Sequence, residues 1–158
     1  MAVGSGITRR AYHLAMTVLA AAQALVYGLA LEVLGLVEGS TGGWGVDLAF
    51  FRPPPLSDLS APARLACYVV VFLLLAHVAI CIGVTHRRWG TLGIYALLVG
   101  AVAAVTTIVI TVTLAGWWGS VGRWLGDQSP AQLVALWPLP LLALLVAAGR
   151  AGIRGATP

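Results

Sequence analysis

Four stretches of the chain run without an Asp, Glu, Lys or Arg: residues 11–31, 65–85, 89–122 and 128–149. Each is long enough for the roughly 20 residues with which an apolar helix crosses a bilayer. The third is too short for two crossings and a turn, so one helix over about 92–116 accounts for it, followed by an interfacial segment. The pattern predicts an all-α integral membrane protein with four transmembrane helices in an antiparallel bundle, forming a single domain over 1–158. The helices fall at about 11–37, 62–85, 91–116 and 130–149, with an outer loop at 38–61 and an outer interfacial segment at 117–128.

Local punctuation agrees with these limits. Ser129, Pro130, Ala131 and Gln132 form a capping box with proline at the first helical position, and Ser60 with Pro62 starts the second helix in a similar way. Pro53, Pro54 and Pro55 have no backbone donors to give and belong in a loop outside the bilayer. Pro138 and Pro140 lie inside the fourth helix and leave carbonyls near Val134 and Leu136 without their usual partners, which predicts a kink. Trp117, Val121, Trp124 and Leu125 repeat at helical spacing, as in a short amphipathic helix lying on the outer surface.

Composition places the chain in lipid. Hydrophobic residues make up 60% and charged residues 9%, with a mean hydropathy of +0.97, whereas a soluble domain carries about a quarter of its residues as charges. The net charge of +4 comes from nine basic residues, all arginine, against five acids. The arginines are scattered singly and in pairs, so no stripe can neutralise a run of phosphates, and nucleic acid is not an expected partner. Orientation explains them better. With the N-terminus cytoplasmic, Arg9, Arg10, Arg87, Arg88, Arg150 and Arg154 lie inside, and Arg52, Arg64 and Arg123 outside. That balance puts both termini in the cytoplasm of a multi-pass protein of the cell membrane. All five acids (Glu32, Glu38, Asp47, Asp58 and Asp127) fall on or near the outer side, as do all the tryptophans except Trp89. Thr8, Arg9 and Arg10 faintly resemble a twin-arginine signal, but the apolar run that follows outlasts a signal peptide, so the segment is expected to be retained.

Few side chains are left to carry chemistry. Cys67 and Cys81 are fourteen residues apart in one helix, about 21 Å, too far to pair, and serve as small packing residues. Ala20, Ala24 and Gly28 in the first helix and Ala96, Gly100 and Ala104 in the third recur every four residues, the spacing at which small side chains let membrane helices approach closely. Thr107 and Thr111 extend the second stripe. Gln23, about 20 Å beyond Arg10, is expected to bond to a neighbouring helix. Glu32, about 33 Å beyond Arg10, reads as an interfacial acid rather than a proton carrier.

His77 lies within the second helix with no charged neighbour in sequence, on a face with Cys67, Leu74 and Cys81. A neutral histidine there bonds to a neighbouring helix, ligates haem iron or contacts a quinone. A bis-histidine haem b would need His13, whose depth differs from that of His77 by roughly 8 Å. His86, beside Arg87 and Arg88, belongs to a basic cytoplasmic turn that meets anionic headgroups. The motifs of P-loops, zinc peptidases and serine hydrolases are missing, and there is no asparagine.

These features favour a non-catalytic integral membrane subunit that packs against and stabilises a larger membrane complex, of the kind energy-converting complexes contain. No cofactor is required by the sequence. Its partners would be membrane lipids and larger membrane subunits, or copies of itself. Two alternatives remain at this stage: a haem- or quinone-site anchor using His77 and His13, and a small homo-oligomeric transporter or channel built around Gln23, Thr107 and Thr111.

Overall fold

The computed structural model describes residues 9–154, with side chains from Ala11 to Ala151 apart from His13. Among these residues there is no strand. The elements in chain order are α1 (Arg9–Ser40), a tight turn at Gly43–Asp47, the short α2 (Pro54–Ser57), α3 (Ala61–Leu114), α4 (Trp118–Gly126), a widened turn at Gln132–Leu136 and α5 (Pro138–Arg154).

Three described helices are long and apolar enough to cross a membrane: Leu14–Ser40, Ala61–Leu114 and Gln132–Ala151. The second is unusual. Its 54 residues would extend about 81 Å if straight, well over twice the ~30 Å hydrocarbon core. It is not one helix, because Gly90 sits at φ 62° and ψ −153°, which no α-helical residue adopts. Where a connecting loop at 86–90 was expected, a single glycine joins two helical segments, residues 61–89 and 91–114. The joint is tight: a Cβ built on Gly93 would lie 2.6 Å from the Trp89 Cβ and 3.2 Å from Thr85 Cγ2.

The packed part of the molecule consists of α1, residues 61–89 and α5. α1 runs antiparallel to 61–89, with Glu32 beside Arg64, Gly28 against Leu65 and Val69, and the rings of Tyr27 and Phe72 5.3 Å apart. The approach at Gly28 is close: a Cβ there would stand 3.0 Å from Val69 Cγ2 and 3.2 Å from Leu65 Cδ1, so a larger residue would push these side chains back. Ala20 and Ala24 are buried on the same helix. α5 packs on another side of residues 61–89, where the Cys81 thiol donates to the Leu145 carbonyl at 3.4 Å. Both cysteines are free. Residues 91–114 are different, since every residue from 95 to 111 is exposed.

The ends of these elements follow from their chemistry. Pro62 occupies the first turn of α3, where the missing N–H costs nothing. The Ser129 N–H donates to Gln132 Oε1 at 2.8 Å, and the Gln132 N–H donates to Ser129 Oγ at 3.2 Å, the two reciprocal bonds of a capping box. Just before Pro138 the ladder widens, and the Trp137 N–H reaches back to the Gln132 carbonyl at 2.9 Å. The expected disturbance by Pro138 and Pro140 is thus absorbed as one turn of π-type bonding. At 117–128 the chain forms α4, whose Trp124 ring packs 4.9 Å from that of Trp137.

Candidate functional site

Two polar assemblies lie in the packed bundle, and they differ in how completely their bonds are used. The first is at the end where α1 meets the loop and the start of α3. Arg64, 3% exposed, donates from Nε to Glu32 Oε2 at 2.7 Å and from a terminal nitrogen to Glu32 Oε1, a bidentate pair in which planar guanidinium matches planar carboxylate. Its other terminal nitrogen donates to the Leu59 carbonyl at 3.2 Å. Nearly two turns beyond Glu32, the Glu38 carboxylate accepts the backbone N–H groups of Phe50, Phe51 and Arg52 at 2.9, 2.9 and 3.0 Å. The Tyr68 hydroxyl donates to the Phe51 carbonyl at 2.6 Å, and the Arg52 side chain passes close over Gly35, where a Cβ would stand 2.7 Å from Arg52 Cγ.

The loop can return to α1 because of its turn at Gly43–Asp47. Gly43, at φ 67°, has the Leu48 N–H donating to its carbonyl at 3.1 Å, and a Cβ there would come within 2.4 Å of the Leu48 nitrogen. Only glycine fits. The assembly as a whole ties residues 50–68 to α1, and its carboxylates are occupied by bonds within the chain. It clasps two helices and a loop.

The second assembly is a single residue. His77 is 4% exposed, and its Nδ1 lies 2.8 Å from the Leu73 carbonyl. A carbonyl only accepts, so Nδ1 carries the proton, and in neutral imidazole Nε2 then presents a lone pair. Nε2 is buried and has no hydrogen-bond partner among the described residues. An orphaned buried polar atom is uncommon and costs about 1–3 kcal/mol. The expected bond to a neighbouring helix is not made; the ring bonds to its own helix one turn back.

The antiparallel register of α1 and α3 puts His77 level with about residue 20. Residue 13 therefore lies about 10 Å further along α1, and its side chain is outside the described residues. No group of three or more His, Cys, Asp or Glu gathers in metal-binding range among the described residues.

Comparison with protein-family models, curated proteins and solved structures finds no match to this chain.

The other candidate positions are spread apart. Ala20, Ala24 and Gly28 face residues 61–89, whereas Ala96, Gly100 and Ala104 are exposed, with nothing within 4 Å of a Cβ built on Gly100. Gln23 is exposed. The hydroxyls of Thr107 and Thr111 are exposed and donate to the carbonyls one turn back, Ala103 and Thr107, each at 2.8 Å. The structure does not bring Gln23 together with these threonines. Sequence reasoning placed Glu32, Glu38, Arg52 and Arg64 on one side of the membrane but did not pair them. A hint was available: two opposite charges stand inside the predicted helix ends at matching depth, which in lipid calls for a partner.

Proposed function

We propose that the protein is a non-catalytic integral membrane subunit that crosses the cell membrane four times, with both termini cytoplasmic, and packs residues 91–114 against a larger membrane partner. The observation that carries this reading is the exposed helix at 95–111. It is apolar, its Thr107 and Thr111 hydroxyls are satisfied one turn back, and its Ala96, Gly100 and Ala104 stripe is open at the glycine. Lipid offers helices no hydrophobic reason to associate, so adhesion comes from close backbone approach at such small residues. The stripe in α1 is already used against residues 61–89; the one in 91–114 is still free for another helix.

Purification in mild detergent tests the reading. The wild-type chain should come away with a defined larger membrane protein, and Gly100→Leu, which fills the open stripe, should release that partner while the chain itself still accumulates. A chain that purifies alone, or a partner that stays bound to Gly100→Leu, would overturn it.

A second reading is favoured by His77 alone. With Nδ1 donating to Leu73, Nε2 is left to ligate an iron or to accept from the hydroxyl of a quinol. Helices α1 and α5 would have to admit the group. A Soret band lost in His77→Ala, or quinol-dependent quenching lost in the same variant, supports this reading, and a colourless preparation that binds no quinol removes it.

A further inference from the structure

The charges of this molecule are segregated along the bundle. Glu32 and Glu38 sit beside Arg64 and the 50–52 loop, Asp47 and Asp58 precede α3, and Asp127 precedes α5. These are all five acids of the chain, and all lie at the end where α3 and α5 begin. The opposite end holds His86, Arg87, Arg88 and Arg150. Cys81 meets Leu145, and His86 and Arg150 each follow that contact by five residues; in the four-span arrangement proposed above these two helices run parallel, which brings the two residues to one level. Arg88 lies over the Trp89 ring at 4.7 Å. Arg150 is exposed and makes no ion pair among the described residues.

Leading away from Arg150 is an open groove of about 710 Å³ along one face of α5, lined by Leu139, Leu142, Ala143, Val146 and Ala147, with Arg150 at its end. These positions recur at helical spacing, and the small residues Ala143 and Ala147 make the hollow. From Leu139 to Arg150 the groove spans about 16 Å, the depth of one leaflet of a ~30 Å hydrocarbon core. An open apolar groove one leaflet long, ending at a guanidinium without an ion-pair partner at a bundle end without acidic side chains, fits a lipid chain with a negative headgroup.

We infer that the face of α5 over 139–150 is a binding site for one anionic phospholipid. Its acyl chain lies along Leu139 to Ala147, and its phosphate is held by Arg150, with the basic turn at 86–88 supplying further positive charge. A guanidinium pairs with phosphate through two parallel bonds, and a basic pocket beside membrane helices selects anionic headgroups. The inference requires that the chain reside in a bilayer and is independent of any partner subunit.

The test uses the full chain extracted from vesicles of mixed phosphatidylglycerol and phosphatidylcholine, with retained lipid counted by native mass spectrometry. Wild type should retain one phosphatidylglycerol in preference to phosphatidylcholine. Arg150→Gln should weaken that preference about fivefold, the effect of roughly 1 kcal/mol per arginine at a membrane surface. Arg123→Gln, at the other end, should leave it unchanged. Ala147→Phe fills the groove and should lower retention of both lipids with Arg150 intact. Equal retention of the two lipids by wild type, an unchanged preference in Arg150→Gln, or full retention in Ala147→Phe would each overturn the inference.

Discussion

Arg64 and Glu32 are buried against each other between two apolar helices, at 3% and 9% exposure, and the value of such a pair lies in its completeness. Taking either charge from water costs several kcal/mol, and the partner's two parallel bonds offset that cost only while both groups are present. Removing one leaves the other charged and dry. Glu32→Gln or Arg64→Gln should each lower the stability of the detergent-solubilised protein by about 3–5 kcal/mol, whereas the double variant, which leaves no charge behind, should recover a large part of the loss. Thermal unfolding of all four proteins closes the cycle, and single variants as stable as wild type would show that the pair contributes nothing. The two residues were readable in the sequence as charges near one membrane face. Their pairing was not, because a contact across 32 positions depends on the register of two helices, which local spacing does not contain. The same limit applied to Glu38, whose three backbone donors come from a loop. His77 stood out from the start as a histidine alone in an apolar run, but which of its nitrogens would be left without a partner needed the coordinates.

Gly90 does for α3 what a loop would ordinarily do. Its φ of 62° with ψ of −153° lies in territory open to glycine and costly to any residue with a Cβ, on the order of 1–3 kcal/mol. Gly90→Ala should therefore destabilise the protein by about that amount, even though a Cβ at 90 meets nothing within 4 Å; the penalty is one of backbone, with no clash involved. Gly83→Ala provides the contrast, since Gly83 is inside a helix with equally open surroundings, and there alanine should be neutral or favourable by up to about 1 kcal/mol. Midpoints measured side by side distinguish the two, and equal behaviour would mean that the joint is not strained. Helix positions were largely legible from the charge-free runs, and the Ser129 and Gln132 bonds from a four-residue motif. The joint was less so. Arg87 and Arg88 marked where an apolar run stops, but nothing in that spacing distinguished a flexible loop from a one-residue corner.

The molecule as a whole is polarised: acids cluster with the folded loop at one end, and arginines without acidic neighbours stand at the other. Loops rich in arginine are retained in the cytoplasm, so the four-span arrangement proposed above has a direct check. In a chain with Cys67 and Cys81 replaced by alanine, a cysteine at Ser57 should react with an impermeant maleimide from outside intact cells, and one at Thr91 only after permeabilisation. The reverse pattern would invert the orientation, and labelling of both from one side would mean that residues 61–89 do not cross. Hydropathy made the long apolar helices legible because lipid imposes the same demands on every chain. Function was less legible because an exposed apolar helix does not by itself say what covers it.

The clasp between α1 and α3 also bears on how the protein is made. Glu32 leaves the ribosome 32 residues ahead of the arginine that neutralises it. Until Arg64 arrives, this turn of α1 carries a carboxylate that cannot be left dry. Pairing the two helices as one hairpin answers that demand, and the loop held by Glu38 then closes behind them. The ion pair sets an order of assembly as well as holding the finished fold.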